Sequence, residues 1–316
     1  MRPFHAVVLT AGMAFLWLGA CSPTPEHQLP EQPEDMAPEM AGPVDQGPHA
    51  KDLSAADSDA HDGGGGADAS PPLSSCTTLF GAPNENTGLD DSQCSPVCEG
   101  CAGGFAYTAG SIDAATLERW RQLEHDPPFQ EITTDPYLEP APEPAPPGTV
   151  CGVLFSDDTR YTLTTFASSR EAMEAGAIPT HSGACGVCST LGNLAVYAGN
   201  GHLTSPVREC GLVGVRDGEE ANIACLQELG FDLPCAQIWY YNTNYTRQKC
   251  GRPCFAALND PYHFADGRLN DCLQCDEDNA GPVFKAYAGR TRRNSGLATA
   301  ICRPCEGLFP ANHSYP

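Results

Sequence analysis

Apolar residues recur at helical spacing along most of the chain beyond residue 110. Ile112, Thr116, Leu117, Trp120 and Leu123 share one face. Leu191, Leu194, Ala195 and Ala198 repeat likewise, and Ile223, Leu226 and Leu229 line a third stripe that stops at Gly230. Local signals fix several starts. Ser168-Ser-Arg-Glu171 forms a capping box with Gly176 at the C′ position, and Ser205-Pro206 is an N-cap followed by Pro at the first helical position. Asp217-Gly-Glu-Glu220 is a further capping arrangement, and Pro234 starts a helix through Ile238 and Trp239. Strand patterns are fewer: Val150 to Phe155, and Arg160 to Phe166 with partial alternation. The pattern predicts a mainly α domain with a minor β element.

The N-terminal quarter follows a different plan. One cation, Arg2, precedes the apolar run Ala6 to Leu18, which fits a secretory signal peptide over 1–20. Residues 22–75 hold 11 acids, one base, nine Pro and no Phe, Trp or Tyr. Such a segment cannot bury enough apolar area to offset its chain entropy, so 21–75 is predicted to be a disordered acidic tether rich in Pro and Gly. A Pro-rich stretch, 135–148, then divides the Cys-rich remainder. It is either a linker between a small lobe, 76–134, and a main domain, 149–316, or a long surface loop within one domain.

The signal run ends Leu18-Gly19-Ala20-Cys21, which resembles a bacterial lipoprotein lipobox. The resemblance implies a lipidated Cys21, and Ser22 after it resembles the outer-membrane default of Gram-negative bacteria. The stretch from Cys151 to Cys305 also resembles cysteine-rich domains of predicted secreted or surface proteins of algae, diatoms and oomycetes. That likeness rests on His181-Ser-Gly-Ala-Cys185-Gly-Val-Cys188-Ser, Gly230-Phe-Asp-Leu-Pro-Cys235-Ala, Cys272-Leu-Gln-Cys275-Asp-Glu, Gly281-Pro-Val-Phe and Arg290-Thr-Arg-Arg-Asn-Ser-Gly296. It implies a unitary domain and no particular site.

Setting Cys21 aside, 16 cysteines lie between Cys76 and Cys305, and an even count in an exported chain predicts a disulfide framework. Four pairs have CxxC spacing, at 98/101, 185/188, 272/275 and 302/305. Zinc can use that spacing, but an oxidising compartment favours bridges, so no metal and no cofactor is predicted. Cys185-Gly-Val-Cys188 ahead of a helix is the one place where a thiol enzyme is conceivable, as a thioredoxin-like pair or a papain-like nucleophile. Gly183-Ala-Cys185-Gly186-Val187-Cys188 resembles the nucleophile region of the papain family. It departs at Val187 and Ser189, has Ser182 in place of that family's Gln, and has no His at the family's spacing, His313 being nearest.

Two clusters suggest binding. Trp239, Tyr240, Tyr241 and Tyr245 lie within seven residues, and flat rings beside Asn and Thr suit sugar faces. Arg290, Arg292 and Arg293 form the densest basic cluster, with Arg290 and Arg293 on one helical face and guanidinium forks suited to anions. The net charge of −23 argues against a nucleic-acid partner, although residues 247–316 carry nine bases against seven acids. The expectation is a lipid-anchored, disulfide-stabilised, extracytoplasmic protein of the cell envelope, at the outer membrane of a Gram-negative bacterium. Its role is binding or structural, with a glycan, an anionic envelope component or another envelope protein as partner. The alternative is a thiol-disulfide oxidoreductase or cysteine hydrolase using Cys185 and Cys188.

Overall fold

The computed structural model describes residues 79–99 and 106–316. The signal peptide, Cys21, the tether, Cys76 and Cys101 lie outside the described residues. Four short strands come first: β1 (Leu79–Phe80), β2 (Cys94–Ser95), β3 (Val97–Cys98) and β4 (Tyr107–Thr108). Helix α1 (Ala114–Gln122) and β5 (Glu124–His125) precede the two longest strands, β6 (Val150–Phe155) and β7 (Arg160–Phe166). Next come α2 (Ser169–Glu174), β8 (Ile178–Ser182), α3 (Leu191–Gly199), α4 (Thr204–Asp217), α5 (Glu219–Glu228) and α6 (Leu233–Ala256). Then α7 (Asp271–Asn279), α8 (Gly281–Ala288) and β9 (Arg303–Pro304) close the order. The protein is mainly α with a minor β element. No helix among the described residues is long and apolar enough to cross a membrane.

Caps explain several boundaries. Ser168 accepts from the Glu171 N–H to start α2, and Gly176 ends the turn with φ +78°. Asp232 accepts from the Cys235 N–H, and Pro234 occupies the first turn of α6, which runs for 24 residues. Two starts differ from the sequence reading. Helix α4 begins one residue before Ser205 and has no side-chain cap. Asp217 does not cap α5, because its carboxylate pairs with Arg216 at 2.6 Å, and Gly218 with φ +95° makes the break instead.

The main sheet has the order β5-β7-β6-β8. Strand β6 pairs antiparallel with both β7 and β8, with a bulge between Cys151 and Gly152 on the β8 side. The largest core packs α1 and α3 over this sheet and continues into α5, α6 and α8. Trp120, Leu191, Leu194, Leu226 and Ile238 are fully buried in it. Burying each such side chain contributes roughly 1.5–3 kcal/mol.

Seven disulfides join the fourteen described cysteines, and none closes within a CxxC pair. Cys94–Cys302 and Cys98–Cys305 sew the start of the described chain to its end, where β1 also pairs with β9. Cys151–Cys185 and Cys188–Cys235 tie the β8–α3 connection to β6 and to α6. Cys210–Cys225 staples α4 to α5, while Cys250–Cys275 and Cys254–Cys272 form a two-rung ladder between α6 and α7. The described residues of 76–134 and those of 149–316 fall in one compact unit. The Pro-rich stretch lies on that unit, with Tyr137 stacked on Tyr245 at 4.5 Å.

Candidate functional site

Cys185-Gly-Val-Cys188 has a structural use. Val187 and Cys188 donate their N–H groups to the Tyr287 and Ala288 carbonyls, both at 2.9 Å, and so satisfy the open C-terminus of α8. The backbones approach so closely that a Cβ on Gly186 would sit 2.3 Å from the Tyr287 oxygen. Cys185 and Cys188 are bridged to Cys151 and Cys235, so neither offers a thiolate, and they are not paired with each other. The thiol-enzyme alternative loses its nucleophile. His313, the nearest histidine to the papain-like spacing, contacts Tyr315 and the Ser295 carbonyl instead.

Around this junction lies a buried polar network. Arg290 is 0% exposed and has no carboxylate partner among the described residues. Its guanidinium donates to the Ser189 carbonyl at 2.9 Å, Thr180 Oγ1 at 2.7 Å and Ser295 Oγ at 3.0 Å, with longer bonds to the Cys188 and Thr180 carbonyls. Burial lowers its pKa while three nearby tyrosines work against that. His181 Nδ1 lies 2.9 Å from the Ser182 carbonyl; with the proton there, Nε2 accepts the Ser189 hydroxyl at 2.7 Å. Burial and Arg290 hold His181 well below its ordinary value, so this Ser–His pair stays neutral and sealed from solvent. Arg290 thus locks the fold and cannot meet a ligand. The expected shared helical face of Arg290 and Arg293 is absent, because 289–297 is a turn followed by one 3-10 turn, Arg293–Ser295. Asn294 clamps that turn, donating to the Ser182 and Gly289 carbonyls.

The same turn sends Arg292 and Arg293 to a different place. A cavity of about 780 Å³ opens between α4, α6, α7 and the segment 291–303. Its volume falls within the roughly 300–1,000 Å³ of small-molecule sites. Four of the seven binding candidates line it: Trp239, Tyr240, Arg292 and Arg293. Tyr241 and Tyr245 do not, because their positions on α6 face elsewhere, Tyr245 towards Tyr137. The aromatic run is therefore not one flat platform for sugars. Trp239 packs on Phe284 at 4.5 Å to form one wall. Leu203, Val207 and Leu273 add apolar surface that sequence reading did not flag. Leu212, Val215, Phe255 and Leu258 border it, and each is at least half exposed.

Charges on the cavity are unequal. Six bases line it against two acids, Asp276 and Glu277. Burial would push Glu277 up, but Arg303 and Lys285 hold it at about 2, with ion pairs of 2.7 and 2.9 Å. Burial raises Asp276, which accepts from Thr246. Arg292 donates to the Asn200 carbonyl, and burial lowers it to about 10, so it remains charged at neutral pH. The Arg293 side chain makes no hydrogen bond among the described residues. Two polar atoms on the wall, Tyr197 Oη and Trp239 Nε1, are buried against each other and have no other partner among the described residues.

Residues 219–310 match a family of unknown function, DUF8771; the match takes in α5 to β9, and so the α6, α7 and 291–303 walls of the cavity but not α4. No characterised protein and no solved structure matches the chain.

Proposed function

We propose that this chain is a lipid-anchored binding protein of a Gram-negative cell envelope, whose disulfide-stapled domain takes a small apolar or amphipathic molecule into the cavity between α4, α6, α7 and 291–303. One observation carries the binding reading: the cavity is walled by Trp239 and Phe284 and bordered by four exposed apolar side chains, Leu212, Val215, Phe255 and Leu258. Exposed apolar side chains gathered at one opening mark an interaction site rather than the scattered exposure of an ordinary surface. The lipobox ending at Cys21 supports the anchor. Several acyl chains hold a protein at a membrane where one alone holds weakly.

The test uses the full chain as Cys21→Ser, which needs no detergent, titrated with the neutral fluorescent probe N-phenyl-1-naphthylamine. Probe binding in the micromolar range, weakened at least fivefold by the surface pair Leu212→Asp and Phe255→Asp, supports the reading. Equal binding by that double variant refutes it.

A further inference from the structure

The cavity holds a cluster of hydrogen-bond donors with too few acceptors. Arg292 offers a guanidinium whose one acceptor is the Asn200 carbonyl. Arg293 has no hydrogen-bond acceptor among the described residues. The Trp239 indole N–H lies against the Tyr197 oxygen, while the Tyr197 hydroxyl, 3% exposed, has no acceptor for its own proton among the described residues. Tyr197 also lies close enough to Arg292 for the neutral hydroxyl and the guanidinium to interact electrostatically. A buried donor without an acceptor costs about 1–3 kcal/mol. Two guanidinium groups with donors to spare, beside a Tyr197 hydroxyl whose own proton finds no acceptor among the described residues, are explained together if an anion completes them. Neither acid on the wall can serve. Glu277 is engaged by Lys285 and Arg303, and Asp276 is turned to Thr246 and Asn242.

The rest of the wall is apolar. Val207, Leu203, Leu273 and Phe284 extend from this cluster towards the exposed rim on α4 and α6. A fully hydrated anion would leave that surface uncovered, and a neutral hydrocarbon would leave the donors orphaned.

Resting on the proposed cavity reading, we infer that the ligand is an amphipathic anion: an apolar chain or ring system ending in a carboxylate or phosphate. Its head sits on Arg292 and Arg293 with the Tyr197 hydroxyl, and its body lies along Val207, Leu203 and Phe284.

Calorimetric titration of the full Cys21→Ser chain with four probes tests this: dodecanoate, dodecyl phosphate, dodecanol and dodecyltrimethylammonium, all below micellar concentration. Both anions are expected to bind at least tenfold tighter than dodecanol, and the cation more weakly than dodecanol. Tighter binding of dodecanoate assigns the head to a fatty acid, and of dodecyl phosphate to a phosphorylated lipid. Arg293→Gln removes a side chain that makes no hydrogen bond, so the fold survives. It should weaken both anions at least fivefold and leave dodecanol unchanged. Arg292→Gln should do the same, with near-ultraviolet dichroism confirming native packing. Dodecanol binding as tightly as the anions, or anion affinity unmoved in Arg293→Gln, overturns the inference while the cavity reading stands. Failure of all four probes overturns both.

Discussion

The two bridges that join the start of the described chain to its end should be strongly redundant. Cys94–Cys302 and Cys98–Cys305 span 208 and 207 residues, and their half-cystines lie only a few residues apart at both ends. With one bridge intact, the other closes a loop of roughly nine residues, for about 2.6 kcal/mol of unfolded-state entropy. With neither intact, the surviving bridges shorten the open path, and the last closure then spans roughly 100 residues, for about 4.7 kcal/mol. Cys94→Ala with Cys302→Ala, or Cys98→Ala with Cys305→Ala, should therefore cost about 2.6 kcal/mol each beyond lost packing. The quadruple variant should cost about 7, an excess of about 2 over the sum of the pairs. All four sulfurs are buried, so their lost packing enters the pairs and the quadruple alike and cancels from the excess. Urea unfolding under non-reducing conditions measures all three variants against the wild type. A quadruple variant within about 0.5 kcal/mol of additivity would refute the loop argument.

Three further outcomes are expected. Gly186→Ala should cost about 3 kcal/mol or more in the same assay, because its Cβ would meet backbone at 2.3 Å where α8 docks; a loss under about 1 kcal/mol would sink that reading. Stability should fall as pH drops from about 6.5 to 4: burial and Arg290 depress His313 to about 4, so the unfolded chain takes up the proton first, and His313 alone forfeits about 2 kcal/mol at pH 5. His181 adds to this in the same direction, and thermal melts from pH 7 to pH 4 that show no decline would contradict it. Cys21→Ser should move the protein out of the membrane fraction, and its persistence there would place the anchor elsewhere.

The parts of the fold legible in the sequence are those fixed by neighbours a few residues away. Both long strands have the predicted bounds, Val150–Phe155 and Arg160–Phe166. The Ser168 cap and the stop at Gly230 depend on one turn of backbone and were readable for that reason. Strand β8 was not, since Pro179 and the buried His181 break any alternation, and its place is set by β6. The spacing Cys272-x2-Cys275 looked like a metal or redox motif, yet with Cys250 and Cys254 it is the mark of two helix faces stapled rung by rung. Arg290 read as a surface cation because nothing local shows that three carbonyls and two hydroxyls converge on it. Trp239, Tyr240, Arg292 and Arg293 came from two clusters about fifty residues apart, and only tertiary packing brings them to one cavity.

The strong net acidity of the chain does not oppose an anionic ligand. Most of the −23 charge sits before residue 150, in and around the acidic N-terminal stretch. Net charge bears on solubility and non-specific association, whereas contacts inside the cavity are set by the charges that line it. Within the cavity the balance is six bases to two acids, and Glu277 already serves two of the six. The low local dielectric around Trp239, Phe284 and Val207 strengthens whatever electrostatic contact the remaining cations make. The bridges suit such a site. Cys210–Cys225 stiffens the α4 side and the Cys250–Cys275 and Cys254–Cys272 ladder stiffens the α6–α7 side. No bridge among the described residues crosses from α4 to α6, so the α4 side is tied to the α6 side by packing, directly and through α5.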